Sequence, residues 1–300
     1  MGKHKFKEWV AITRYWSFPV SAMPVVATFA YLFSRGILPL EWKSLAVFLL
    51  SLCGVVVIHA AGNLLSDWAD YRKGVDSQVA HAVPFLVFGQ FKPKEYIRLS
   101  VALFVAGCIM GIAVCMLSSP LLLVIGGAGV LLTLLYSFLK YHALGDLDIF
   151  IIFGVLTVLG STVAATGAVV WDALVLSVPL GVITVSVLHA NNTVDIETDG
   201  AAGIRTFAML IGGKASSILY RVYMVLPFVC IIVSVILGWL HPLALISLVA
   251  AVPAWKNFKK ASGFDNSGIE AMKGLDLGSA QLQLVFSLLL SLGLLVAGLL

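Results

Sequence analysis

The sequence predicts an all-α, polytopic membrane protein whose transmembrane helices pack into one bundle. Of its 300 residues, 60% are hydrophobic and only 11% are charged, and the mean hydropathy is +1.03. Soluble domains carry about 25% charged residues. The apolar residues fall into runs of about 20, the length that crosses a bilayer as a helix. We therefore expect residues 1–300 to form a single integral membrane domain.

Nine apolar runs are the candidate transmembrane helices. The eighth run is short, so we expect it to tilt into protein rather than to face lipid along its whole length. The predicted spans lie near residues 12–34, 44–65, 99–118, 120–139, 147–169, 173–190, 216–239, 241–255 and 279–300.

The basic residues predict the orientation of the bundle. With the N-terminus placed inside, Arg35 and Lys43 are the only two of the 19 lysines and arginines that fall outside. Basic residues favour the cytoplasmic side of a membrane. The sequence therefore predicts a protein of the cytoplasmic (inner) membrane, with a cytoplasmic N-terminus and an external C-terminus. Its polar loops, near 66–98, 191–215 and 256–278, are then cytoplasmic.

The first polar loop begins with an acidic cluster, GNLLSDWADYRKGVD, at residues 62–76. Asn63, Asp67 and Asp70 are spaced i, i+4 and i+7, so they share one face if the preceding helix continues. A third acid, Asp76, follows. Neighbouring carboxylates repel one another unless a cation neutralises them, and hard oxygen ligands suit Mg²⁺.

A second acidic cluster, HANNTVDIETDGAAGIRT, repeats this arrangement at residues 189–206. Asn191, Asp195 and Asp199 are spaced i, i+4 and i+8. The topology puts both clusters on the cytoplasmic side, where we expect the two loops to form a cap over the bundle. Two facing clusters would hold Mg²⁺ and a diphosphate, although ordinary solvated loop acids are the simpler alternative. The third polar loop is most simply a solvated connector.

Four basic residues lie near the two clusters and are candidates for binding phosphate charge. They are Arg72, Lys73, Lys140 and Arg205. Mg²⁺ bridges phosphate oxygens and neutralises a leaving diphosphate, which makes ionisation of a carbon–oxygen bond feasible. The motifs therefore favour diphosphate chemistry at a membrane surface, and no basic soluble face indicates nucleic-acid binding.

These motifs resemble those of the UbiA-type membrane prenyltransferases. The resemblance covers nearly the whole chain and depends on RYWSFPVSAMPV, on the Asp67, Asp70 and Asp76 spacing, on YSFLKYHALGD and on NNTVDIETDGAAGIRTFAMLIG. Within the superfamily, the sequence is most similar to members that prenylate 1,4-dihydroxy-2-naphthoate in menaquinone synthesis. In the last motif Asn192 is one of the matching residues.

The resemblance implies a nine-helix fold and a role for each motif residue. It implies that Mg²⁺ and diphosphate are held by Asn63, Asp67, Asp70, Asp195 and Asp199, that Lys140 and Arg205 contact phosphate, and that Tyr136 lies near the reacting carbon. The implied reaction moves a polyprenyl group from polyprenyl diphosphate to the naphthoate, releasing diphosphate and carbon dioxide. Ser66 replaces a common asparagine, and the stretch after Asp76 lacks the usual arginine, where we expect His81 to substitute partly.

Several alternatives remain open from the sequence. The acceptor could be of the 4-hydroxybenzoate, homogentisate, haem or glycerol-phosphate type, the chain could bind substrate without turnover, or the acids could bind the coupling ion of a transporter. His59 and His189, each one turn before a cluster asparagine, have either a supporting role at the site or an ordinary interhelical hydrogen bond. Asp146 is either functional or a helix N-cap.

Overall fold

The structure is a computed structural model that describes residues 4–38, 41–74 and 84–300. Every regular element within these ranges is a helix, which confirms the predicted all-α class. Eight helices in the described chain are long and apolar enough to cross a membrane, and we number them α1–α8. They are α1 (Tyr15–Ser34), α2 (Trp42–Lys73), α3 (Pro93–Leu117), α4 (Leu121–Tyr141), α5 (Gly145–Thr166), α6 (Trp171–Val194), α7 (Gly213–Ile236) and α8 (Leu275–Leu299).

Shorter helices precede the first of these eight and connect the others. They are the α-helices Phe6–Ala11, Pro84–Val87, Ile196–Ala201, Phe207–Ile211, Ala251–Ser262 and Phe264–Ser267, and the 3₁₀-helices Pro242–Ala250 and Gly268–Ala271. Helix α5 contains a π-helical stretch, Phe150–Leu156. Such stretches recur at functional sites in proteins.

The eighth predicted span is where the structure differs from the sequence prediction. Instead of one long apolar helix, the chain forms the 3₁₀-helix Pro242–Ala250, which runs directly into Ala251–Ser262. A Cβ atom added to Gly293 of α8 would collide with the carbonyl group of Leu243, so the two backbones pack directly on each other. The described residues thus confirm eight of the nine predicted spans and leave the eighth in chain order, near 241–255, unconfirmed.

We expect Gly293→Val to lower the apparent melting temperature of the detergent-solubilised protein by several degrees. The new side chain must displace a backbone carbonyl, and overpacking of this kind costs about 1–3 kcal/mol. Gly111→Val is the matched control, because a Cβ at Gly111 meets nothing within 4 Å. Equal melting temperatures for the two variants would show that the backbones at Gly293 and Leu243 leave room for a side chain.

Helix α2 extends well beyond its predicted end and carries the first acidic cluster. It continues to Lys73, and Gly74 then ends it with a left-handed backbone conformation, φ +75°. Glycine adopts this conformation without steric cost and therefore commonly ends helices. The predicted shared face of Asn63, Asp67 and Asp70 is thus realised on a continuous helix rather than in a loop.

The outer surface of the bundle is apolar. Helices α3 and α4 expose Val101, Ile109, Leu123 and Val124 among many similar side chains. A surface of this extent would be a liability in water but is suited to lipid. It supports the predicted polytopic membrane protein, whereas the cap and the orientation of the termini stay predictions.

Candidate functional site

A cavity of about 800 Å³ opens where α2, α4 and α6 end, and both acidic clusters line it. From the first cluster it receives Asn63, Ser66 and Asp70, and from the second it receives Asn191, Asp195, Glu197 and Asp199. Helix α4 adds Tyr136 and Lys140, which lie one turn apart on the same face. The fold therefore brings together two motifs that the chain separates by more than 100 residues.

Asp70 is the centre of a buried polar cluster in the cavity wall. The ammonium group of Lys140 donates to Asp70 Oδ2 at 3.1 Å, and the Tyr141 hydroxyl donates to Asp70 Oδ1 at 2.6 Å. Both Lys140 and Asp70 are buried. A buried charge needs such a partner, because removing one member of a buried pair costs about 3–5 kcal/mol. The pair fixes the end of α4 against the first acidic cluster.

Asp67 is covered by an arginine from the chain start. Its carboxylate is buried and forms an ion pair with Arg14, and it is Arg14 that lines the cavity. Arg14 has φ 55° and ψ 47°, the left-handed region that side chains rarely adopt. Strain of this kind is found at functional sites. Metal binding by Asp67 remains a prediction, and it requires Arg14 to move aside.

Asn63 binds the same N-terminal segment. Its amide nitrogen donates to the Thr13 carbonyl at 3.0 Å and to the Ser17 hydroxyl at 3.3 Å. His59, one turn earlier, lies 2.9 Å from the Ser21 hydroxyl through Nδ1 and also lines the cavity. The N-terminal segment is thus a wall of the site, held by hydrogen bonds to α2.

The second cluster begins in the last turns of α6 and continues beyond its end at Val194. Asp195 accepts a hydrogen bond from the Asn191 amide at 3.1 Å. One helical turn later Asp199 is buried, with 1% of its surface exposed, and lines the cavity. Asn192, which the resemblance selected, is also buried but is not among the described residues that line the cavity. Asn191 occupies that position instead.

Three predicted phosphate-binding cations are not among the described residues that line the cavity. The Arg72 guanidinium is 5.0 Å from the centre of the Trp68 ring, and the Lys73 ammonium is 4.6 Å from that of Tyr141. Arg205 is exposed, and its backbone N–H donates to the Tyr141 carbonyl. Asp76 and His81 lie outside the described residues. The roles assigned to all five stay predictions.

The third polar loop contributes residues that the sequence analysis missed. It was expected to be a solvated connector, but part of it closes one side of the cavity, so that interpretation is wrong. The contributing residues are Phe264, Ser267, Gly268, Ile269, Glu270, Lys273 and Asp276. The sequence signal was the apolar Phe264 and Ile269 within an otherwise polar stretch. Nearby, a hydrogen bond from Lys214 lowers the pKa of the exposed Asp265 carboxyl.

A second buried hydrogen-bond network lies outside the cavity lining. Nδ1 of His189 lies 2.6 Å from Oδ2 of Asp146, and Nε2 lies 2.8 Å from the Ser216 hydroxyl, which contacts Thr193 at 2.6 Å. The network joins α5, α6 and α7. Helix α5 begins at Gly145 with Leu144 as its N-cap, so the alternative N-cap interpretation of Asp146 is wrong.

We expect His189→Leu to destabilise the protein strongly, because it leaves Asp146 buried without its partner. Leaving a buried polar group without its hydrogen-bond partner costs about 1–3 kcal/mol, and more where that group is charged. The double variant His189→Leu/Asp146→Leu should recover part of this loss in a double-mutant cycle of apparent melting temperatures. Additive effects would show that the two side chains are not coupled.

The comparisons with known proteins agree with this geometry. The model of the UbiA prenyltransferase family matches residues 21–268, which include both acidic clusters. The chain belongs to the UbiA prenyltransferase family. This confirms the superfamily and the enzyme class predicted from the sequence.

Curated relatives in animals support the assignment. UbiA prenyltransferase domain-containing protein 1 of Homo sapiens is 36% identical over 236 residues, which cover 75% of this chain and 67% of that protein. The Drosophila melanogaster homologue is 35% identical over 234 residues, covering 75% of this chain and 63% of that protein. The chain thus spans about two thirds of the length of these relatives. Their names do not specify a naphthoate acceptor.

Solved structures of UbiA homologues share the fold. The apo homologue from Aeropyrum pernix K1 gives a TM-score of 0.70 at 20% identity, covering 94% of this chain and 98% of that one. The Archaeoglobus fulgidus homologue bound to GPP and Mg²⁺ gives 0.67 at 14% identity, covering 94% and 99%. The bundle described above is therefore a UbiA fold.

The cavity of this UbiA family member has a donor set that fits Mg²⁺ brought in with a phosphate group. No three His, Cys, Asp or Glu side chains in the described chain converge closely enough to hold a metal by themselves. Mg²⁺ in proteins is usually held by one or two carboxylates together with substrate phosphates and water, rather than by a protein cage. Asp70, Asp195 and Asp199 supply hard oxygen donors of this kind around one cavity.

The charges that line the cavity also favour Mg²⁺ that enters together with a phosphate group. Six carboxylates among the described residues line the cavity, namely Asp70, Asp195, Glu197, Asp199, Glu270 and Asp276. The lining cations in the same set are Arg14, Lys140 and Lys273. A diphosphate entering alone would meet repulsion, because the wall is already acidic. Divalent cations entering with the diphosphate remove that repulsion.

Proposed function

We propose that this chain transfers a polyprenyl group from polyprenyl diphosphate to 1,4-dihydroxy-2-naphthoate in an Mg²⁺-dependent reaction. The observation that supports this most is the division of the cavity into an acidic end, formed by both clusters with Lys140, and an apolar interior. The apolar lining includes Val20, Ile152, Phe153, Val187 and Leu188. A polar diphosphate and a long hydrocarbon chain have opposite solvation needs, which these two regions meet.

Lys140 and Tyr136 have the central roles in this proposal. Lys140 holds negative charge on the diphosphate as the allylic carbon–oxygen bond breaks. When bound, Mg²⁺ neutralises further charge on this leaving group. The ring of Tyr136 faces the same cavity and stabilises the allylic cation. The apolar lining excludes water that would otherwise quench the cation.

The acceptor is proposed to bind beside the N-terminal wall. Arg14, Ser17, His59 and Asn63 line the cavity there, next to Phe153. A guanidinium group binds carboxylate, and hydroxyl and imidazole groups hydrogen-bond phenols, while an aromatic face packs against an aromatic ring. A carboxylated dihydroxynaphthalene has all of these features. The acceptor ring attacks the cation and loses carbon dioxide.

Other aromatic acceptors use part of the same chemistry, and 4-hydroxybenzoate is the principal rival because it also has a carboxylate and a phenol. A transporter function is less compatible with the structure. Coupling-ion sites lie near the bilayer midplane between broken helices, whereas Asp70, Asp195 and Asp199 lie at one end of the bundle.

Product formation by the purified protein in detergent tests the proposal. The protein receives a prenyl diphosphate, Mg²⁺ and one acceptor at a time, with EDTA and Asp70→Asn as negative controls and the exposed Asp265→Asn as a matched control. We expect a metal-dependent demethylmenaquinol product from the naphthoate. If only 4-hydroxybenzoate gives a product, that compound is the acceptor instead of the naphthoate. Diphosphate binding without any product would identify a binding-only relative.

We also propose that the cavity end of the bundle is cytoplasmic, in an inner membrane. The support is the basic bias of the sequence, because residues such as Lys140, Lys260 and Lys273 lie at that end. Alkaline phosphatase fused after Leu300 should be active, and fused after Lys260 it should be inactive. The reverse pattern would invert the orientation.

A further inference from the structure

The segment of residues 264–276 forms one wall of the cavity and carries a single cation into it. This segment comprises Phe264–Ser267, the 3₁₀-helix Gly268–Ala271 and the start of α8. Its basic residue is Lys273, which lines the cavity. The 3₁₀-helix packs on α6, the helix that ends in the second acidic cluster. Lys273 therefore lines the cavity next to a short helix that contacts α6, while α8, which follows it, also contacts Tyr15–Ser17.

The three cations that line the cavity in the described chain differ in how firmly they are held. Arg14 is paired with Asp67 and Lys140 with Asp70, and both carboxylates are buried. Lys273 is paired with Glu270, whose side chain is 67% exposed. Exposed ion pairs contribute little to stability. Lys273 can thus exchange its partner for an incoming anion at a smaller cost than Arg14 or Lys140.

The backbone that carries Lys273 is well anchored. Its neighbours Ala271 and Met272 are buried, and its carbonyl accepts a hydrogen bond from the Lys260 ammonium. The side chain is therefore free to change partner while its Cα position stays fixed. An anion site on a fixed backbone loses less entropy on binding than one on a loose loop.

We propose that Lys273 binds the diphosphate of the prenyl donor, which makes the 264–276 segment a third contributor to the substrate site after the two acidic clusters. The inference rests on the proposed prenyl transfer. The shared chemistry is an anion, so the carboxylate of the acceptor is the competing source. The contact of the 3₁₀-helix Gly268–Ala271 with α6, which ends in the second acidic cluster, favours the diphosphate.

Steady-state kinetics and Mg²⁺–pyrophosphate binding by calorimetry test the proposal. We expect Lys273→Gln to raise KM for prenyl diphosphate and Kd for pyrophosphate by about tenfold, the loss of one charge-assisted hydrogen bond, with an unchanged KM for the acceptor. Lys273→Arg should restore both. Lys214→Gln is the matched control, because Lys214 makes an exposed ion pair with Asp265 of the same segment but does not line the cavity.

Glu270→Gln separates binding from a structural role. If Lys273 binds the anion, releasing it from Glu270 should tighten pyrophosphate binding by about twofold, since an exposed pair competes weakly. If the Glu270–Lys273 pair only holds the segment in place, both variants weaken binding, and the proposal fails.

Two further sets of results would overturn either the role of Lys273 or the proposed function. Unchanged pyrophosphate binding in Lys273→Gln, or a raised KM for the acceptor alone, would overturn the role of Lys273 while leaving prenyl transfer intact. A wild-type protein that binds no Mg²⁺–pyrophosphate would overturn the proposed function itself, and the inference with it.

Discussion

Lys140→Met is expected to reduce kcat/KM for prenyl diphosphate by about 10²–10³-fold, the loss typical of removing one preorganised charge-stabilising donor. Lys140 is buried in the cavity wall and is held in place by Asp70, so its charge is preorganised toward the leaving group. A cation that is already desolvated and oriented does not need to reorganise during the reaction. The measurement is steady-state kinetics in detergent with the naphthoate held at saturation.

Lys214→Met is the matched control for this effect. Lys214 is also near the end of a helix, but it is exposed, paired with Asp265 and does not line the cavity. We expect less than about a twofold change, since surface charges are largely screened by salt. Equal losses of kcat/KM in both variants would mean that Lys140 acts only through the long-range electrostatic field of the protein. The apparent melting temperature separates loss of chemistry from unfolding, because Lys140→Met also leaves the Asp70 carboxylate with the Tyr141 hydrogen bond but without its buried cation.

Asp199→Asn is expected to raise the Mg²⁺ concentration needed for half-maximal activity by at least about tenfold, with a corresponding loss of activity at fixed metal. The substitution keeps the size of the side chain but removes the negative charge that attracts a divalent cation. Asp199 is buried and lines the cavity beside Asp195. Titration of activity with Mg²⁺, and of Mg²⁺–pyrophosphate binding by calorimetry, measures both effects.

Asp265→Asn is the corresponding control. It removes a carboxylate from the same end of the protein, but one that is exposed, paired with Lys214 and absent from the described lining. An unchanged Mg²⁺ dependence in Asp199→Asn would remove this residue from the predicted metal ligands. The same test applies to Asp67 and Asp70, whose carboxylates are paired with Arg14 and Lys140.

The sequence alone identified the two acidic clusters because each is encoded locally. Helical spacing puts Asn63, Asp67 and Asp70 on one face wherever that helix lies, and the structure contains such a helix. The choice between Asn191 and Asn192 could not be made in this way. Adjacent residues on a helix differ by about 100° in direction, and the packing of α6 decides which of the two faces the cavity.

Partners from distant parts of the chain were also beyond prediction. Arg14 and Asp67 are 53 positions apart, and Lys140 and Asp70 are 70 positions apart. The sequence contained these charges but gave no information on their pairing, since pairing depends on which helices pack side by side. The role of the third polar loop was missed for the same reason, because its polar composition is compatible with either a solvated connector or a cavity wall.

The sequence by itself determined the all-helical class, the membrane location and the presence of two carboxylate clusters. These properties follow from the transfer free energies and spacing of residues within short segments. The tertiary structure alone decided that the clusters face one cavity, that Arg14 covers Asp67, that His189 meets Asp146 and that Lys273 enters the site. Each of these contacts joins elements that are distant in the chain, so its energy exists only after the helices have packed.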